Sequence, residues 1–492
     1  METLPDKPNL DHLRGQAKSL LKLLKSGDPK ALALIPQFAP EFASESPILL
    51  HHAQLLVARS YGFPSWPKLV AHVEAVTTPE AQWLLEFCVA TIGRGFIGPN
   101  LVRADALWER RPAQDPFSDA IRGESLAGLD ANLTGGPFKA PLLVYVANSG
   151  YWARPERAEK LLVSARDLLD RGADPNGTYE DPDFPGAPLS ALYAAAGRRN
   201  RPDLTALLLE RGANPDDGES VYHACEWRDH TTLKMVLAAG AKKERTNGLL
   251  RIMDWEDPEG LALLLEAGAD PNEITNNGTA IPIQHCLMRR RSTAILQQLL
   301  DAGADPKRWD FVTYALDRGL VEHAKMLGAT EITQEQEFLA ACVRADRDEA
   351  LRLLHANPDL IKNLPHGKLR LLPDLAAVSQ IDSVRLMIEI GWPLEVTGGD
   401  WKATALNIAI FRGDSEMTRD LLKAGASWET KHGYGDDARG TLSFASNARP
   451  GPGYDYAGCA RALIEAGMPK PDPKNYRPFP DDVAEALGFP LD

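Results

Sequence analysis

Leu263-Leu264-Leu265-Glu266-Ala267-Gly268-Ala269-Asp270-Pro271-Asn272 decides how this chain is read. The leucines close an apolar helix, Gly268 stops it, and Asp270-Pro271 turns the backbone away. Near copies stand at Leu168-Leu169-Asp170-Arg171-Gly172-Ala173-Asp174-Pro175-Asn176 and at Leu207-Leu208-Leu209-Glu210-Arg211-Gly212-Ala213-Asn214-Pro215-Asp216. Another is Leu299-Leu300-Asp301-Ala302-Gly303-Ala304-Asp305-Pro306. Stops of this kind recur at Gly172, Gly212, Gly240, Gly268, Gly303, Gly328, Gly391, Gly425 and Gly467, with Asn357 as the helix cap in the widest gap. A short helix pair ending in such a stop cannot bury its apolar face alone, so neighbouring units must stack.

The first helix of each pair is legible too, in Pro188-Leu189-Ser190-Ala191-Leu192-Tyr193-Ala194-Ala195-Ala196, Val221-Tyr222-His223-Ala224-Cys225, Ala280-Ile281-Pro282-Ile283-Gln284-His285-Cys286 and Ala405-Leu406-Asn407-Ile408-Ala409-Ile410. With the Gly-Ala-Asp-Pro-Asn ends, these stretches resemble ankyrin repeats over roughly residues 140 to 470. The resemblance implies an all-α solenoid of about ten to eleven stacked helix pairs whose concave face recognises a partner protein. Two departures stand out. The 28-residue steps to Gly240 and Gly268 leave too little chain for the usual β-hairpins, and Asp174 to Pro188 reads as a long loop. A second Gly-rich excursion runs from Gly433 to Tyr456.

Residues 1–76 form a separate helical block. Leu10, Leu13, Ala17, Leu20, Leu21 and Leu24 fall at helical spacing, with Arg14, Lys18, Lys22 and Lys25 off that stripe. Asp28-Pro29 opens a second helix, Ser46-Pro47 a third, and Phe63-Pro64-Ser65-Trp66-Pro67 turns into a fourth. Leu10-Asp11-His12-Leu13-Arg14-Gly15-Gln16-Ala17-Lys18 and Tyr61-Gly62-Phe63-Pro64-Ser65-Trp66-Pro67-Lys68-Leu69 resemble the leader ahead of some bacterial ankyrin proteins. That likeness implies a bacterial cytoplasm and brings no activity. The predicted divisions are a leader (1–76), opening helices with a degenerate first unit (77–139), the repeat array (140–470) and a C-terminal tail or cap (471–492), with a short helix near Asp481 to Leu487.

The formal net charge of −14 repels phosphate backbones, so no nucleic acid is expected and a basic protein partner is favoured. The start has neither a basic nor an apolar signal region, and no run of about 18 apolar residues predicts a membrane helix. Five scattered cysteines without a CxxC suit reduced thiols. A cytoplasmic monomer is expected.

Gly93-Arg94-Gly95-Phe96-Ile97-Gly98 matches G-x-G-x-x-G, but a helix rather than a strand precedes it, so it reads as an interhelical turn. His223-Ala224-Cys225-Glu226 lacks further ligands at zinc spacing; His223 falls on the ankyrin signature histidine, which implies a bond to neighbouring backbone. No Walker A, G-x-S-x-G or H-E-x-x-H occurs, and acid pairs such as Asp216-Asp217 and Asp436-Asp437 read as solvated charge. No catalytic residue, cofactor or metal is expected.

Counting 13 residues back from four stops gives Arg199, Trp227, Trp255 and Arg290. Stacking would line these up toward the concave face, with Asp229 and Asp257 beside the tryptophans. Trp and Arg dominate binding hot spots, so these four are the candidate partner-binding residues. The competing reading has the tryptophans filling space between shortened units. The expected function is a non-enzymatic protein-interaction scaffold. The alternative is a small-molecule or catalytic site at the leader–array junction, around Trp83 to Trp108.

Overall fold

The structure is a computed structural model that describes residues 3–5, 7–40, 42, 48, 50–94, 98–181, 186–242, 244, 246–274, 281–399, 401–448, 453–470 and 479–488. It is mostly helical and divides into two compact units, Met1–Asp305 and Pro306–Asp492.

In the first unit, helix Leu10–Lys25 buries Leu13, Ala17, Leu21 and Leu24 against Leu50–Ser60. Asn9 caps it, its side chain accepting from the Asp11 and His12 N–H groups. Asp28 caps Pro29–Leu32 in the same way. Ser46 and Pro47, expected to open the third helix, lie outside the described residues. Helix Trp66–Thr77 packs on Leu101–Glu109, and Arg103 ties the region together through Glu74 (3.1 Å) and Glu86 (2.6 Å). The helix expected ahead of the glycine motif begins as a 3₁₀ turn, Glu80–Gln82, and continues as Trp83–Ile92. Gly93 ends it at φ +88°, so the glycine motif follows a helix as predicted. Its Gly95, Phe96 and Ile97 lie outside the described residues.

Helix pairs follow: Leu142–Asn148 with Pro155–Asp170, Ala191–Tyr193 with Pro202–Glu210, Ser220–Ala224 with Thr231–Ala238, Gly248–Ile252 with Pro258–Glu266, and Pro282–Met288 with Thr293–Asp301. First helices pack on the first helices of adjoining pairs. The second unit repeats the plan, from Phe311–Leu316 with Val321–Met326 to Ala438–Ala448 with Tyr456–Glu465. Its buried core runs through Phe338, Leu372, Leu406, Leu442 and Leu463. Helix Asp481–Ala486 packs on Tyr456–Glu465, burying Val483, Ala484 and Leu487.

The nine stop glycines all sit at positive φ, between +83° and +102°, where a side chain would be strained. Each closes a reverse turn in which the next N–H bonds back to the helix, as Ala269 does to the Leu264 carbonyl (3.0 Å). Asn357 does cap its helix, but at φ −142°, in extended rather than left-handed backbone.

Two features differ from a purely helical reading. Among the described residues three two-stranded antiparallel ribbons are present, pairing Thr134 with Pro141, Thr178 with Ser190, and Thr397 with Thr404. The second occupies the stretch read as a long loop. Thr178-Tyr179-Glu180 alternates outward and inward, and Tyr179 is buried, which is the period-two pattern of a half-buried strand. The other is a π-helical turn, Ala194–Arg198, continuing Ala191–Tyr193.

The opening stretch carries one further device. The Asn272 side chain donates to the Gly303 carbonyl (2.9 Å) and accepts from the Asp305 N–H (2.7 Å), so it grips the next unit's stop. Asn132 holds Gly172 and Asp174 in the same way, and Asn176 holds Gly212 and Asn214. Asp216 and Glu395 take the corresponding role by accepting from the Lys242 and Ser427 N–H groups. The clamps join residues between 26 and 42 positions apart in sequence. Asn272→Ala is expected to cost about 1–2 kcal/mol, two net hydrogen bonds at the surface. Asn272→Asp, which keeps the acceptor, is expected to cost less. Equal urea midpoints for wild type and Asn272→Ala would remove the clamp from the account.

Candidate functional site

All four row residues lie just past the end of a first helix. Their surroundings differ. Arg199 is turned inward by the π turn, whose wide bond runs from the Arg199 N–H to the Ala194 carbonyl (2.9 Å). Its guanidinium donates to the carbonyls of Ile92 (3.1 Å) and Asn148, the last residues of two other helices. Those carbonyls have no partner within their own helices, and a cation there also meets the negative helix ends. Burial and the neighbouring Arg198 charge pull the Arg199 pKa down.

Trp227 is half-buried, and its Nε1–H donates to the Gly197 carbonyl of the preceding pair. Gly197 is required there, because a Cβ would collide with His223 Cβ. Trp255 is half-buried between two guanidinium groups, Arg228 (5.3 Å) and Arg251 (4.9 Å). Arg290 is half-buried at φ +54°, a left-handed turn residue, whereas Arg199 has right-handed backbone. A fixed count back from the stops therefore reaches unlike turn positions, because loop lengths differ between pairs. Asp229 is exposed and accepts from Asn200 (2.9 Å). Asp257 is buried, caps Pro258–Glu266, and pairs with Arg228 (3.1 Å) and His230 (3.2 Å).

One residue earlier in each unit stands a constellation that the count of 13 passes over: Arg198, Glu226, Asp254 and Arg289. Around the middle two, charged groups run continuously across three helix pairs. His223 lies 3.5 Å from Glu219 and 3.0 Å from Glu226. Arg251 donates to Glu226 (2.6 Å) and Asp254 (2.8 Å). Asp254 also pairs with Arg289 (2.9 Å) and His285 (3.2 Å). Arg251 lies over Tyr222 (5.2 Å) as well as Trp255, and Tyr193 meets the His223 ring edge-on at 5.0 Å. His223 thus pairs with carboxylates rather than with backbone. The ladder is half-exposed, and each side chain is oriented by at least one other.

Burial alone would lower the His223 pKa, but the Glu219 and Glu226 hydrogen bonds outweigh it and raise the group to about 9. For Glu226, burial works upward, and His223 with Arg251 hold it below the usual carboxylate range. Asp254 behaves likewise, held down by His285, Arg289 and Arg251 against its burial. A raised histidine pKa means stabilisation fully present below about 6.5 and lost as pH rises through about 9. Raising pH from 6.5 to 9.5 is expected to cost the wild type about 1 kcal/mol more than His223→Gln, after allowing for solvent screening. Equal pH dependence of the two proteins, or an NMR titration of His223 near pH 6.5, would contradict this.

Between Trp83 and Trp108, where the alternative site was expected, the Trp83 ring is buried, stacks on Phe87 and donates to the Leu107 carbonyl (2.7 Å). Trp108 is sandwiched by Arg111 (4.5 Å) and Arg122 (4.6 Å). Asp105 joins Arg122, Arg154 and Tyr151 beside it. Cys88, Cys225, Cys286, Cys342 and Cys459 are all buried, which pushes their thiol pKa values up. Among the described residues no group of three or more His, Cys, Asp or Glu could hold a metal ion, and no helix is long and apolar enough to cross a membrane.

No family model matches the chain, and no curated protein matches it. Among solved structures it is similar to the ankyrin repeat domain of human ASB11, at 19% identity and a TM-score of 0.20, covering 57% of this chain and 100% of that one.

Proposed function

We propose that this protein is a non-enzymatic recognition module with ankyrin-type stacking of its helix pairs. In this reading residues 1–76 form a leader, 77–139 an opening segment, 140–470 the repeats and 471–492 a tail or cap. The face that meets a partner protein carries the Glu226–Arg251–Asp254 ladder with Trp255 at its centre and Arg290 at its edge. The observation carrying this is the ladder itself: aromatic and charged groups, half-exposed, on consecutive units and already held in place by one another. Side chains ordered before binding lose little entropy on binding. Arg199 and Trp227 support that face from within rather than touch the partner. The net charge of −14 favours a basic partner and speeds its encounter.

The test is affinity capture from the native host with mass spectrometry, comparing wild type with Trp255→Ala and Trp227→Ala. A partner retained by wild type and lost with Trp255→Ala at unchanged helicity supports the reading. The same partner should elute as salt rises, because the attraction is screened. Capture unaffected by Trp255→Ala would overturn this placement of the face. Trp227→Ala is expected to act mainly by lowering the melting temperature.

A further inference from the structure

A second surface, in the Pro306–Asp492 unit, is independent of the face just described. Five rings form a continuous ribbon: Tyr434, His432, Trp401, Phe411 and Phe444. Successive centroids lie 5.9, 4.9, 5.3 and 6.4 Å apart. The ends are open to solvent, with Tyr434 82% and Phe444 62% exposed; Trp401 and Phe411 are half-buried between them, and the His432 ring is buried, joining Tyr434 to Trp401 from beneath. Exposed aromatic groups in such continuity mark an interaction surface. The ribbon is held from below. Gly433 donates to the Trp401 carbonyl (2.7 Å), His432 donates from its backbone to Asp436, and the Tyr434 N–H reaches His432 Nδ1 (3.2 Å). A Cβ on Gly433 would press on the Trp401 carbonyl at 2.9 Å, so glycine lets the two backbones meet.

The polar groups along the ribbon select its occupant. Among the described residues neither the Trp401 Nε1–H nor the Tyr434 hydroxyl has a hydrogen-bond partner, so the surface offers ring faces and donors. Asp437 caps the following helix through the Gly440 N–H (3.0 Å), and Asp436 is engaged as well. A proline-rich strand fits on each count. Its flat rings lie on aromatic faces, its carbonyls accept from indole and phenol donors, and proline brings no N–H that would need an acceptor. One polyproline turn advances about 9 Å, within the reach of two ring steps on the ribbon.

We propose that the Tyr434–Phe444 ribbon binds a polyproline-II segment of a partner protein. Trp401 Nε1–H and the Tyr434 hydroxyl donate to its carbonyls, and the Phe411 and Phe444 rings seat its prolines.

The test titrates a fluorescently labelled deca-proline peptide into the full-length protein, with a Gly-Ser peptide of equal length alongside. Expected are saturable anisotropy for the proline peptide only, at least tenfold weaker binding for Trp401→Phe and for Phe444→Ala, and little change for Trp255→Ala. Trp401→Phe keeps the ring and removes the donor, and Phe444 is exposed, so neither variant should unfold the protein. Circular dichroism checks this. No saturable binding, equal binding of the Gly-Ser peptide, or binding indifferent to both ribbon variants overturns the proposal. So does concentration-dependent self-association in size-exclusion chromatography that Phe444→Ala abolishes, which would make the occupant a second copy of this chain.

Discussion

Arg199→Ala is expected to lower the unfolding free energy by about 3 kcal/mol. Two buried charge-assisted hydrogen bonds disappear together. They leave the Ile92 and Asn148 carbonyls, each at a helix end, facing a cavity. Those ends belong to segments 107 and 51 residues away, so the loss separates parts of the chain that no local interaction joins. Arg199→Lys should recover less than half of the loss, because one nitrogen, Nη2, donates to both carbonyls and the lysine ammonium sits one bond nearer the backbone, short of that point. Urea unfolding followed by far-ultraviolet circular dichroism measures it. A change below about 1 kcal/mol would show that water replaces the guanidinium. If Arg199 were instead a partner contact, Arg199→Ala would abolish capture at unchanged stability, the opposite pattern.

Arg251→Glu should both destabilise the protein, by about 3 kcal/mol, and abolish partner capture. The substitution removes the ion pairs to Glu226 and Asp254 and the cation from above Tyr222 and Trp255. It also sets a third carboxylate between two others. Like charges raise one another's pKa, so carboxylates now held low would move up. The pH dependence then weakens. In wild type, Glu226 and Asp254 have depressed pKa values, and their stabilisation is lost as pH falls through the acid range. In the variant Glu226 keeps His223 and Asp254 keeps His285 and Arg289, so the depression shrinks and less stability is lost on acidification. Adding Glu226→Arg should restore part of the stability, since it returns an opposite charge to the pair. Additive effects of the two substitutions would mean that Arg251 and Glu226 do not interact. A variant that loses as much stability as wild type between pH 7 and pH 3 would contradict the carboxylate repulsion.

Much of this was legible from residue order. The glycine stops, the Asp-Pro turns, the helix start at Asp28-Pro29 and the helix preceding Gly93 each depend on neighbours within about five residues. The candidate site was legible only in part. A count back from the stops reached the right loops, and there it found Trp255 beneath two guanidinium groups. It could not tell that Arg199 turns inward, because the π turn that aims it leaves no period in the sequence. The same count, moved by one residue, reaches Glu226 and Asp254, but alternating charges become a ladder only when consecutive units are known to abut. His223 shows the same limit. Its position matched a signature, and its partners, Glu219 and Glu226, were already beside it at helical spacing, yet the raised pKa follows from the hydrogen-bond distances at which the fold holds them, against burial that lowers it.

The stretch from Leu263 to Asn272 holds both kinds of information. Its leucines, Gly268 and Asp270-Pro271 act through backbone conformation and side-chain polarity, which are properties of the residues themselves. They determine where a helix ends and which way the chain leaves. Asn272 acts through an amide that meets Gly303 and Asp305 only after two units have stacked. Nothing local distinguishes that asparagine from any other turn residue. Its role, like those of Arg199, Arg251 and the Tyr434–Phe444 ribbon, arises where segments distant in sequence come within hydrogen-bond or ring-contact distance, and tertiary packing alone sets those distances.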